Sequence, residues 1–167
     1  MNSIHPIQRL FRLALASALG SGMAICASPL AGHAEVLYTL QTKCSIKGGS
    51  PLPCTVTAEN RGNATFYLHQ IGATRKTIRI TDKPLRMTRW VTGKEWWESL
   101  QGAAARFSTD TICFNGRDLC VVNPNYLRSV QINNISTQNR DLVKVHFGSD
   151  GRINASCYDD GCGVNLK

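Results

Sequence analysis

The residues best suited to chemistry in this sequence are the arginines, lysines and tryptophans gathered around positions 75–94. The stretch RKTIRITDKPLRMTRWVTGK carries seven basic residues against the single acid Asp82. The whole chain has a net charge of +8, and setting aside residues 1–34, with Arg9 and Arg12, leaves the same +6 that the stretch holds by itself. The remainder of the chain is therefore neutral, and the excess charge has one address. Trp90 lies inside the stretch, with Trp96 and Trp97 just beyond it. A guanidinium presents a planar fork of donors to carboxylate or phosphate, and an indole stacks on flat groups and anchors interfaces. Arg79, Arg86, Arg89, Trp90 and Trp97 are accordingly the candidate binding residues. The partners they suit are an anionic polymer, an anionic membrane surface or an acidic protein. The competing use is a solvated sheet face, on which cations maintain solubility and blunt strand edges.

A second constellation is His69 with His146, the only histidines after position 34. Histidine is the usual general acid or base near neutral pH, and two of them on a small basic chain would suit phosphodiester cleavage. Both fall in segments that read as strands. The chain has no G-x-S-x-G elbow, H-E-x-x-H pair, Walker loop or dinucleotide fingerprint. Asp159 and Asp160, with Asp150 nearby, lack the alternating oxygen ligands and final Glu of a calcium loop and read as turn residues. The reading is thus of a non-enzymatic chain with no catalytic residue, cofactor or metal site. Asn63, Asn134 and Asn154 each begin an N-x-S/T acceptor, which matters only in a host that glycosylates it.

Cysteine usage bears on the compartment. Residues 1–34 place Arg9 and Arg12 before a Leu- and Ala-rich run that closes on Gly32-His33-Ala34, the pattern of a cleaved secretory signal. Ser17, Gly20, Ser21 and Gly22 interrupt that run and Pro29 ends it, short of a membrane span. No later run approaches spanning length, so residues 35–167 are expected to form one exported domain, periplasmic or extracellular. Its six cysteines fall into near neighbours separated by turn-forming residues: Cys44 and Cys54, Cys113 and Cys120, Cys157 and Cys162. Local disulfides follow, each worth about 2 to 3 kcal/mol by restriction of the unfolded chain.

The elements that would position these groups are mainly strands. Val36, Tyr38 and Leu40 alternate with polar residues, and strands are expected over 55–58, 65–71, 76–81 and 85–90, joined by short turns. In the fourth of these five, Ile78 and Ile80 face inward while Thr77, Arg79 and Thr81 face water. If Leu85 and Met87 then face inward, Arg86 and Trp90 share the outer face, and strict alternation turns Arg89 inward. Thr92-Gly-Lys-Glu95 has the form of a capping box. With Trp96, Leu100, Ala103, Ala104 and Phe107 at helical spacing, it predicts a helix packed on the sheet. Asn115-Gly-Arg-Asp118 predicts a hairpin that sets Cys113 opposite Cys120. Asn123-Pro124 predicts a short capped helical turn, residues 131–140 a loop, and 142–147 and 152–157 a final hairpin. The fold class expected is α+β: a twisted antiparallel sheet of hairpins with one main helix on a face. The functional reading is an exported binding protein using the basic, tryptophan-containing face. Its alternatives are an inhibitor or interaction module acting through the bridged loop 47–53, and a phosphodiester hydrolase using His69 and His146.

Overall fold

A computed structural model describes residues 34–162; the predicted secretory signal falls almost wholly outside the described residues. Nine strands run in sequence before the first α-helix: β1 (Glu35–Ile46), β2 (Leu52–Arg61), β3 (Ala64–Ile71), β4 (Thr74–Asp82), β5 (Leu85–Val91), β6 (Trp96–Ser99), β7 (Gly102–Arg106), β8 (Thr111–Phe114) and β9 (Leu119–Val122). Helix α1 (Pro124–Asn133) follows, then the hairpin β10 (Leu142–Phe147) and β11 (Ile153–Tyr158). These strands pair antiparallel throughout, in the order β11-β10-β7-β8-β9-β1-β2-β3-β4-β5-β6.

That order explains the shape. β6 closes one end of the ladder and β7 lies third from the other end, yet only Leu100 and Gln101 separate them in the chain. A flat sheet of this width cannot bring the two together in two residues, so the sheet is rolled into a half-barrel. The core agrees: Val56 of β2, Ile78 and Ile80 of β4, Met87 of β5, Phe114 of β8 and Val121 of β9 all belong to one buried cluster. Alternation along the strands directs these residues inward and leaves their neighbours on the outer surface.

The predicted main helix across residues 92–107 is not there, and the reason lies at the junction of β6 and β7. Thr92-Gly-Lys-Glu95 forms a hairpin turn, in which the N–H groups of Lys94 and Glu95 both donate to the Val91 carbonyl. The chain then continues as strand with Trp97 outside and Leu100 inside. At Leu100 and Gln101 the ladder changes partners. Leu100 N–H donates to Met87 O of β5, Gln101 N–H donates to the Asn115 side chain, and Gln101 O accepts from Phe147 N–H of β10. Beyond this irregularity the inward set is Ala103 and Ala105, shifted by one residue. Two runs of period two, offset by one at a break, reproduce the three-residue spacing of a helix, and packing overrides the helix propensity of the alanines. Gly102 permits the crossing: a Cβ there would stand 2.8 Å from the Val145 carbonyl oxygen of β10.

Elsewhere the local expectations stand. All three disulfides join near neighbours: Cys44 to Cys54, Cys113 to Cys120 and Cys157 to Cys162. Cys113 sits opposite Cys120 in the β8–β9 register. The Asn123 side chain caps α1 by accepting from Tyr126 N–H at 3.1 Å, with Pro124 at the first helical position. The helix is longer than the expected turn and takes in residues 131–133, part of the predicted loop. It lies at one end of the rolled sheet. Leu127 joins the core cluster, the Tyr126 ring meets Tyr67 of β3 edge-on at 5.4 Å, and Tyr38 of β1 donates to Asn123 Oδ1 at 3.1 Å. Burial pushes the phenols of Tyr67 and Tyr126 well above the ordinary tyrosine range, so both stay protonated even in alkaline solution.

Candidate functional site

β3, β4, β5 and β6 are neighbours in the sheet, and their register brings residues distant in sequence side by side on the outer surface. Phe66 of β3 stands opposite Arg79 of β4, which stands opposite Thr88 of β5; Trp90 of β5 stands opposite Trp97 of β6. The Arg79 guanidinium lies 4.6 Å from the centre of the Trp97 ring, and its Nε donates to Thr88 Oγ1 at 3.1 Å. Trp97 meets Trp90 at 5.3 Å and Phe66 at 5.6 Å between ring centres, both edge-on. At the border Arg61 of β2 lies 5.0 Å over the Phe66 ring and pairs with Glu59.

The result is a partly exposed aromatic platform with a guanidinium laid on it. The cation–π contact and the threonine bond hold Arg79 in one place while its terminal nitrogens remain available as donors. Arg86 and Arg75 occupy exposed positions on the same outer face, two strand steps from Thr88 and from Thr77 respectively. Of the basic residues in 75–94, only Arg89 forms an ion pair among the described residues.

Arg89 does not join this surface. Alternation turns it to the inner side, where it binds Glu98 of β6 at 2.6 Å and Asp118 of the β8–β9 turn at 2.8 Å. The candidate set therefore divides: Arg79 and Trp90 each contact Trp97, Arg86 lies on the same face, and Arg89 is neutralised on the other. Sequence reasoning missed Arg75 and Phe66. The alternation Arg75-Thr77-Arg79 was sufficient to place Arg75 on the outer face. Phe66 becomes apparent only from the β3–β4 register.

The two histidines do not form a site. His69 is 1% exposed on the inner side of β3, and its Nδ1 lies 3.2 Å from the Lys76 carbonyl oxygen. Burial depresses its pKa from 6.5 to about 4, so the ring is neutral at pH 7. His146 is exposed on β10 and lines a groove with Lys144 and Arg106 to which His69 does not contribute. Acid and base acting on one phosphodiester must share a cleft, and these two do not.

Asp159 serves the backbone: one carboxylate oxygen accepts from Asp141 N–H at 2.8 Å and Leu142 N–H at 2.9 Å. These bonds lower its pKa below the usual carboxylate value. Among the described residues no three His, Cys, Asp or Glu side chains are grouped to hold a metal ion, and no helix is long and apolar enough to cross a membrane. The bridged loop 47–53 is exposed throughout, tied at its base by the Cys44–Cys54 bond and to the β8–β9 turn by Lys47 and Gly48 N–H groups. No family model, curated protein or solved structure matches this chain.

Proposed function

We propose that this chain is an exported, non-enzymatic binding protein whose outer β3–β6 face holds an anionic polymer. The observation that carries the reading is the Arg79 guanidinium fixed 4.6 Å over Trp97, beside Trp90 and Phe66 and free of any carboxylate among the described residues. A repeating anion supplies charges to Arg75, Arg79 and Arg86 in succession, and flat groups on it stack on the exposed parts of the indoles. A polymer suits this face better than a compact ligand because the three arginines lie along two adjacent strands on a convex surface. Export is supported by the secretory pattern of residues 1–34 and by three disulfides, which persist in oxidising compartments.

The test uses two charge-matched variants on a heparin column. Arg75, Arg79 and Arg86 are changed to Glu in one, and the exposed Lys43, Arg117 and Arg128 are changed to Glu in the other. Retention is expected to vanish in the first and to fall modestly in the second. Equal loss in both would mean that net charge alone drives retention, and the face would not be a site.

A further inference from the structure

The two ends of the rolled sheet differ. One is closed by α1, through Tyr126, Leu127 and the Tyr38–Asn123 bond. The other opens between the turns that follow β1, β3, β5 and β8, and holds a cavity of about 490 Å³. Its floor is the end of the core: Ile78, Leu100, Phe114 and Leu119 line it, each no more than 4% exposed, and the half-buried Ile46, Trp90 and Val91 form its wall. Its rim carries Lys47 at the end of β1 and Lys76 on the inner side of β4.

The charges at this mouth are unevenly satisfied. Asp118, a carboxylate lining the cavity, and Glu98 beside it are both bound by Arg89. Lys47 and Lys76 have no carboxylate partner among the described residues. A cavity of a few hundred Å³ with an apolar floor and a few convergent polar groups at the opening is the general form of a small-molecule site, and barrel mouths are a common place for one. Apolar groups below and unpaired ammonium groups above select a ligand with the same polarity, an apolar body under a negative head.

We infer that the open end of the rolled sheet is a binding site for an aliphatic carboxylate, its chain in the cavity and its head at Lys76 and Lys47. Trp90 borders both this cavity and the outer β3–β6 face, but the cations differ, Lys76 and Lys47 here and Arg75, Arg79 and Arg86 there, so neither proposal depends on the other. The chain covers the half-buried Ile46, Trp90 and Val91 of the wall and packs over Ile78, Leu100, Phe114 and Leu119, with affinity in proportion to the apolar area covered. The ammonium groups supply the preference for an anion over a neutral or cationic head of equal chain length.

Titration of the disulfide-bonded protein with decanoate, decanol and decyltrimethylammonium, followed by calorimetry and by methyl NMR, tests this. Decanoate is expected to bind with shifts at Ile78, Leu100 and Leu119, decanol at least tenfold more weakly, and decyltrimethylammonium not measurably. Lys76→Glu is expected to weaken decanoate at least tenfold, Val91→Trp to abolish it by filling the mouth, and Arg79→Glu on the outer face to leave it within twofold. Val91 lines the cavity near the β5–β6 turn, so its variant is compared at matched thermal stability; Lys76 is exposed, and its reversal is read directly. The inference is overturned if decanoate fails to shift the three methyl-bearing residues, or binds no better than decyltrimethylammonium. It is equally overturned if affinity is lost in Arg79→Glu and retained in Lys76→Glu.

Discussion

Arg79 and Arg89 come from one basic stretch and stand on adjacent strands, yet the rolled sheet puts them in different environments. Arg79 is outside, on an indole and a threonine, with no carboxylate bound to it. Arg89 is on the inner side at the open end, bound to two carboxylates. A run of positive charge in a strand is thus divided by alternation into two surfaces, and only the part left unneutralised can act on a partner. The same division separates Arg75 from Lys76, neighbours in sequence on opposite sides of β4.

If outside and inside are functionally separate, disturbing one should leave the other unmoved. Leu100→Ala removes a side chain 2% exposed at the floor of the open end and is expected to cost about 2 to 5 kcal/mol of stability by denaturant unfolding. Heparin retention of the folded variant should equal that of the parent, and a parallel loss would show that the outer face depends on the core beneath it.

A slightly smaller effect is expected from pH. His69 titrates near 4 when folded and near 6.5 when unfolded, so between those values the unfolded chain binds the extra proton. Stability therefore falls as pH drops through this window, by about 3 kcal/mol in total, and levels off below it. His69→Gln should remove that part of the slope. Thermal unfolding from pH 7 to pH 4 measures it, and an unchanged slope in the variant would place the proton elsewhere. Asp141 and Asp159, whose pKa values are lowered, act in the same direction only at more acid pH.

On the outer face, Trp97→Ala removes the ring under Arg79 and both edge-on contacts. Binding to single-stranded polynucleotide should weaken by about 1 to 3 kcal/mol, the worth of one stacked base, with the salt dependence unchanged, because stacking releases no counterions. A lowered slope would show that, without the ring, the Thr88 bond alone does not hold Arg79 on the polymer's charges. Smallest of all is Arg89→Ala, whose pairs are exposed: under about 1 kcal/mol of stability and no loss of retention.

The sequence made most hairpins legible because their signals are local; the exception is the β5–β6 turn at Thr92 to Glu95, whose residues also fit a capping box. Asn115 to Asp118 encodes its turn, and the cysteines that flank it are paired by the same geometry. Alternation in 77–81 and 85–90 likewise placed Arg79, Arg86 and Trp90 on one face and turned Arg89 inward. Three features were not legible. The break at Leu100 and Gln101 depends on hydrogen bonds to Met87, Asn115 and Phe147, partners from three distant segments, and without them the shifted period reads as a helix. The open end and its lysines exist only because β6 and β7 draw the sheet into a roll, which no single segment encodes. Phe66 was hidden for a related reason, since its place beside Arg79 is set by the β3–β4 register.

The most direct test of the division between outer and inner arginines is the salt dependence of binding to single-stranded polynucleotide, measured for four single Arg→Ala variants. Each of Arg75, Arg79 and Arg86 is expected to lower the slope of log K against log salt by about 0.7, the change that follows when one fewer phosphate is neutralised, while Arg89→Ala leaves it at the parent value. A slope lowered equally by Arg89→Ala, or by none of the other three, would contradict the account.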